Sequence, residues 1–134
     1  MSSKLTLTIK DFPNRGGSVT FKITSAGIGQ KFVNSVRVPK LTVTRQTKAY
    51  SLHFFMMSQL RHLNPQNPNA SLPKVTLTFD KYDANGNFIS GTTTDFFDVV
   101  VENVTAKNGE EEITFLADRQ SGEFMISNVE VRFD

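Results

Sequence analysis

Apolar and polar residues alternate with a period of two over most of this chain. Leu5, Leu7 and Ile9 face one way and Thr6 and Thr8 the other, which predicts a strand over Lys4–Lys10. Pro13, Asn14, Gly16 and Gly17 supply turn chemistry. Val19, Phe21 and Ile23 then resume the alternation, completing a predicted hairpin. Ser25–Ser35 carries Gly27 and Gly29 and is expected to be a loop whose apolar residues Ile28, Phe32 and Val33 pack beneath it or, alternatively, contact a neighbouring subunit. Val36–Gln46 is a predicted strand. Pro39 removes a ladder donor there and marks an edge or a bulge, with Val36 and Val38 out of phase with Leu41 and Val43.

The period changes once. Leu52, Phe55, Met56, Gln59, Leu60 and Leu63 recur at three- and four-residue spacing, widened by Phe54 and Met57, which predicts a helix over about residues 49–63. Thr47 or Ser51 is positioned to cap it, and Pro65 and Pro68 stop it. Strands follow at Leu72–Lys81, Phe88–Ser90, Asp95–Ala106, Glu110–Ala117 and Phe124–Phe133, separated by Asn-Gly and Ser-Gly turns and by the threonine-rich connection Gly91–Thr94. Asp95–Ala106 reads as apolar on both faces: Phe97, Val99 and Val101 on one, Phe96, Val100 and Val104 on the other. Both faces should therefore be covered. The sum is one mainly β domain over residues 1–134: an antiparallel β-barrel of seven to eight strands with one α-helix.

Composition narrows the function classes. With 134 residues, 38% of them hydrophobic, the chain is a single globular core, and no apolar run is long enough to span a membrane as a helix. The start, MSSKLTLTIK, lacks the pattern of a secretory signal. Without cysteine there is no disulfide, thiolate metal site or thiol nucleophile. The net charge of +2 conceals a split. Met1–His62 carries ten Lys/Arg against one acid, and Leu63–Asp134 carries five against twelve. Either basic and acidic strands neutralise one another within the sheet, or a basic surface meets an acidic one on the next copy.

Catalytic and ligand motifs are poor. His53 and His62 are nine apart rather than four, and Ser58 with His62 has no accompanying nucleophile-elbow signature. Asp83–Asn87 reads as a hairpin turn; its calcium-loop register places Lys81 and Thr92 where carboxylates are needed. Asp95, Asp98 and Glu102 read as a strand surface, and Glu110–Glu112 as a solvated charge run. An oligonucleotide- or glycan-binding barrel is the alternative function. Stacking aromatics should then face outward, but Phe21, Phe79 and Phe115 fall in the apolar phase, which speaks against nucleic acid.

Element order carries a resemblance. Leu41–Ala49 runs straight into the apolar helix and then a strand at Lys74–Phe79. The segments Val75–Gly86, Phe97–Val104 and Glu111–Phe115 follow as hairpin strands. From about Val36 to Ala117 this is similar to the haemolysin-coregulated proteins, the tube subunits of type VI secretion systems, related in fold to phage tail-tube proteins. The resemblance implies a non-enzymatic structural subunit without catalysis or cofactor. It also implies hexameric rings that stack into the inner tube of a contractile injection system and pass or carry secreted effectors, with sheath and spike proteins as partners. Such a protein assembles in the bacterial cytoplasm and ends outside the cell or in a target cell. The expected subunit interface is Arg37, Lys40, Arg45, Asp95, Phe96, Asp98, Val100 and Glu102, and the expected ring-stacking loop holds Ile28, Lys31, Phe32 and Val33.

Overall fold

The computed structural model describes residues 2–11, 17–47, 51–63, 71–122 and 129–132. Its elements run β1 (Ser2–Asp11), β2 (Gly17–Lys22), β3 (Ser25–Val33), β4 (Val36–Gln46), α1 (Leu52–Leu63), β5 (Leu72–Tyr82), β6 (Phe88–Lys107), β7 (Glu110–Leu116), β8 (Arg119–Gly122) and β9 (Val129–Arg132). The ladders are antiparallel in the order β2-β1-β5-β6-β7-β4-β3-β9, with β8 on β6. The predicted segment 124–128, with its phase change, lies outside the described residues.

Two corners curl this sheet onto itself. β2 runs into β3 through Ile23 and Thr24, whose amides donate to the Leu5 and Thr44 carbonyls at 2.9 and 2.8 Å. One bent strand thus pairs with β1 over its first half and β4 over its second, which joins the two ends of the sheet. β7 runs into β8 in the same way, with the Ala117 and Asp118 amides donating to the Pro39 and Phe97 carbonyls. Strands that switch sheets at a bend are how a barrel corner is made. With each bent pair taken as one strand, the barrel matches the predicted architecture.

Inward phases deliver Leu5, Leu7, Ile9, Phe21, Leu41, Val43, Val75, Leu77, Ile113 and Phe115 to one core, and α1 adds Leu52, Met56 and Leu60 to it. Phe55 sets its ring 5.5 Å from that of Phe21. Burying each large apolar side chain stabilises the fold by about 1.5–3 kcal/mol. Phe54 does not widen the stripe as expected. It lies about 200° around the helix from Leu52, and it is 73% exposed.

Two strand predictions are corrected. The expected loop at Ser25–Ser35 is strand β3, joined to β4 by a two-residue turn at Asn34 and Ser35 with φ of 50° and 65°. Ala26 and Ile28 are buried while Gly27 and Gly29 occupy the other phase, so the alternation is real but half of it has no side chain to show it. β6 is one strand from Phe88 onward, including the expected connection Gly91–Thr94, and it is not apolar on both faces in the sense expected. Its backbone passes through φ 53° at Asp98, and its register on β7 shifts between Val101 and Asn103. The alternation slips at each place: Thr94 and Phe96, then Val99 and Val101, then Val104 turn to the core. What remains outside is Phe97, under the Arg119 guanidinium at 4.0 Å, and Val100.

A buried carboxylate locks the helix to the barrel. Glu111 was expected to be solvated, yet it shares the inward phase of Ile113 and Phe115 and is 3% exposed. Its Oε2 accepts from Arg45 Nη1 at 2.6 Å, Leu52 N at 3.0 Å and Thr47 Oγ1 at 3.1 Å. Its Oε1 accepts from His53 N at 3.1 Å and Ser51 Oγ at 3.3 Å. The first-turn amides of α1, which have no intrahelical acceptor, thereby receive a full negative charge at the positive end of the helix dipole. Ser51 is the N-cap, with its Oγ accepting from Phe54 N at 3.2 Å. Burial pushes the Glu111 carboxyl up, but the Leu52 and His53 amides, Arg45 and Thr47 outweigh it and hold it below the usual carboxylate value.

Two outcomes follow from this lock. Glu111→Gln removes the buried charge that Arg45 and the first-turn amides of α1 face and is expected to cost about 3–5 kcal/mol in denaturant unfolding. Because the folded-state value is lowered, the Glu111 contribution is complete above the ordinary carboxylate pKa of 4.5 and is lost as pH falls through the lowered one. The stability gap between wild type and Glu111→Gln should therefore narrow on acidification below about pH 4.5.

Candidate self-association surface

The β3–β4 hairpin outruns the barrel. β9 covers β3 only over Ser25–Ile28, and β7 covers β4 only from Lys40 onward. Residues 29–39 therefore form a two-stranded arm with no third strand on either side among the described residues. Pro39 sits just before the β7 ladder begins, where a missing amide costs nothing.

Strand alternation gives the arm two faces. Lys31, Val33, Val36 and Val38 share one, and Phe32 and Arg37 lie opposite each other on the second. The first face looks along the barrel wall, where Lys31 Nζ meets Glu102 Oε1 at 3.0 Å. Beside it runs an open groove whose walls include Val33, Val38, Val100 and Leu116, with Asp98 and Asp118 at its margin. On the second face the Arg37 guanidinium lies 5.0 Å from the centroid of the Phe32 ring. Phe32 is 64% and Val36 60% exposed, more apolar surface than a short hairpin can cover by itself.

The expected interface residues divide. Arg37, Asp98, Val100 and Glu102 are at the surface around the arm, and Lys40 and Asp95 are half-buried, Asp95 accepting from Thr76 Oγ1 at 2.7 Å. Arg45 and Phe96 do not belong with them. Both point into the barrel, Arg45 onto Glu111, because they fall in the inward phase of their strands. From the expected stacking loop, Lys31, Phe32 and Val33 are on the arm, whereas Ile28 is in the core. Asp118 was not anticipated; its exposure follows from the β7–β8 corner, which leaves no periodic signal.

The charge split is resolved only in part within the fold. Register sets Arg45 against Glu111 and Lys4 against Asp80, and Lys31 reaches Glu102. Exposed Arg37, Asp98 and Asp118 have no ion-pair partner among the described residues. Other candidate chemistry is structural. Asp83 Oδ1 accepts from the Asn85 and Asn87 amides, both at 2.8 Å, shaping the β5–β6 turn, and these bonds hold its carboxyl below the usual value. The described residues contain no group of three His, Asp or Glu placed to share a metal ion, and the His62 side chain lies outside them. No helix among them is long and apolar enough to cross a membrane.

This architecture is that of the Hcp proteins. Secreted protein Hcp3 from Pseudomonas aeruginosa superposes with a TM-score of 0.59 at 13% identity, over 99% of this chain and 98% of that one. A crystal structure of an Hcp protein gives 0.62 at 10% identity, also over 99% and 98%. The Hcp1 protein from E. coli EAEC 042 gives 0.57 at 13% identity, over 96% and 95%. No protein-family model and no curated protein matches the sequence. The likeness thus resides in the fold, and it spans essentially the whole length of both partners.

Substitutions on the arm should separate surface from scaffold. Phe32→Ser and Val36→Ser are expected to change the unfolding free energy of the dilute single chain by no more than about 0.5 kcal/mol, while Ile28→Ala costs about 2–5 kcal/mol. Denaturant titration of the three variants measures the difference.

Proposed function

We propose that this chain is a tube subunit. Its copies assemble head to tail into hexameric rings that stack into the inner tube of a type VI secretion or related contractile injection system, and effectors pass through or ride in the pore. The full-length likeness to three Hcp structures carries this reading. A fold alone does not assign a function, and features of the surface support the reading. An arm that leaves the barrel, exposed apolar residues on both of its faces and surface charges of both signs without ion-pair partners among the described residues suit a heterologous contact between copies. On this reading the protein performs no catalysis and needs no cofactor. It assembles in the bacterial cytoplasm inside a contractile sheath, meets a spike protein at the tube tip, and is delivered outside the cell. The binding-barrel alternative is weakened at Phe21 and Phe115, which are buried, and on the tube reading the exposed strand aromatics Phe32 and Phe88 are surface for neighbouring copies.

Sedimentation velocity tests the assembly. The purified protein at tens of micromolar is expected to show a species six times the 15.0 kDa chain mass. Arg37→Glu combined with Lys40→Glu should shift that species toward the single chain without changing its circular dichroism, because Arg37 is exposed and Lys40 is half-buried in the outward phase, outside the core. A single-chain boundary at every concentration would refute the ring reading.

A further inference from the structure

Three side chains line up across β5, β6 and β8 on the outer face of the sheet. Register sets Lys74 opposite Phe97 from one side and Arg119 opposite it from the other. Directly opposed residues project to one face, so two cations flank the half-buried ring. The Arg119 guanidinium lies 4.0 Å from the ring centroid, which fixes it against the aromatic surface and keeps its N–H fork for an acceptor. β8 cannot slide from this register. At one end the Asp118 amide donates to the Phe97 carbonyl at 2.8 Å. At the other Gly122, at φ 127°, comes so close to β6 that a Cβ would run into the Thr93 carbonyl oxygen. Lys74 and Arg119 are exposed, and neither has a carboxylate partner among the described residues. The acids that adjoin them by register and sequence are turned elsewhere: Asp95 accepts from Thr76 Oγ1 at 2.7 Å, and Asp98 and Asp118 line the groove beside the arm.

We propose that Lys74, Phe97 and Arg119 form a binding site for a phosphate group, independent of the tube-subunit reading. An ammonium and a guanidinium only donate, so the ligand must be all acceptor. Two cations favour a group with two negative charges over a single carboxylate. The planar fork of Arg119 matches two phosphate oxygens, and the Lys74 ammonium meets a third as a point charge. The ring beneath them keeps water from one side, which strengthens both contacts relative to an open surface. Asp95 bounds the site, because it lies two residues along β6 from Phe97 on the same face. A terminal phosphate or a diphosphate therefore fits, and a long polyanion running along the strands past Asp95 does not.

Inorganic pyrophosphate is the probe, titrated into the wild-type protein by calorimetry at constant ionic strength so that general screening does not change. Saturable binding with a Kd of about 1 mM or below is expected. Lys74→Gln and Arg119→Gln should each weaken it by about tenfold. Lys22→Gln removes an exposed cation elsewhere on the same face and should leave it unchanged. Arg119→Lys keeps the charge but loses the fork, and should fall between wild type and Arg119→Gln. Circular dichroism of each variant is recorded alongside. No saturable binding by the wild type, an equal loss in Lys22→Gln, or full binding by Arg119→Gln overturns the site. None of these outcomes bears on ring formation, which sedimentation of the same samples reads separately.

Discussion

Everything in this molecule hangs on one buried carboxylate. Glu111 sits in the inward phase of β7, accepts from the first amides of α1, and faces Arg45 from the neighbouring β4. A barrel of this size has an interior that its own strands do not fill, and the apolar stripe of α1 completes it. The helix has no acidic residue in its first turn to meet its dipole. The sheet supplies the missing charge instead, so helix and barrel cannot settle independently. The cost of burying Glu111 and Arg45 is offset only because five donors converge on one carboxylate.

With one face of the helix packed on the core, the exposed apolar surface of the arm is left to the strands. The Ala117–Asp118 corner ends the β7 ladder on β4 at Lys40, the β9 ladder on β3 runs over Ser25–Ile28, and the hairpin continues as an arm. The bend at Ala117–Asp118 thus helps close the core, releases β4 from its neighbour and sets the exposed Asp118 carboxylate beside it. A single chain thus has a finished interior and, on the arm, apolar residues left outside it.

Much of this was legible in the residues. The alternations at Leu5–Ile9, Val75–Phe79 and Ile113–Ala117 located strands, and the three-and-four spacing from Leu52 located the helix with Thr47 or Ser51 as its cap, of which the structure uses Ser51. Where the reading failed, side-chain identity hid the phase. Gly27 and Gly29 made a strand resemble a loop. Two slips in β6 made one buried face look like two. Glu111 lay in a run of three glutamates, yet its parity with Ile113 and Phe115 already marked it as inward, as the parity of Arg45 with Leu41 and Val43 marked its partner. The arm could not be read at all, because it depends on where neighbouring strands stop, and that is a property of the sheet and not of any local segment.

Electron microscopy of the purified wild-type protein, negatively stained at concentrations where it associates, tests the central claim most directly. Annuli with an open centre, joining into hollow tubes as concentration rises, are the predicted images. Single compact particles at every concentration, or assemblies with no central channel, would contradict the account.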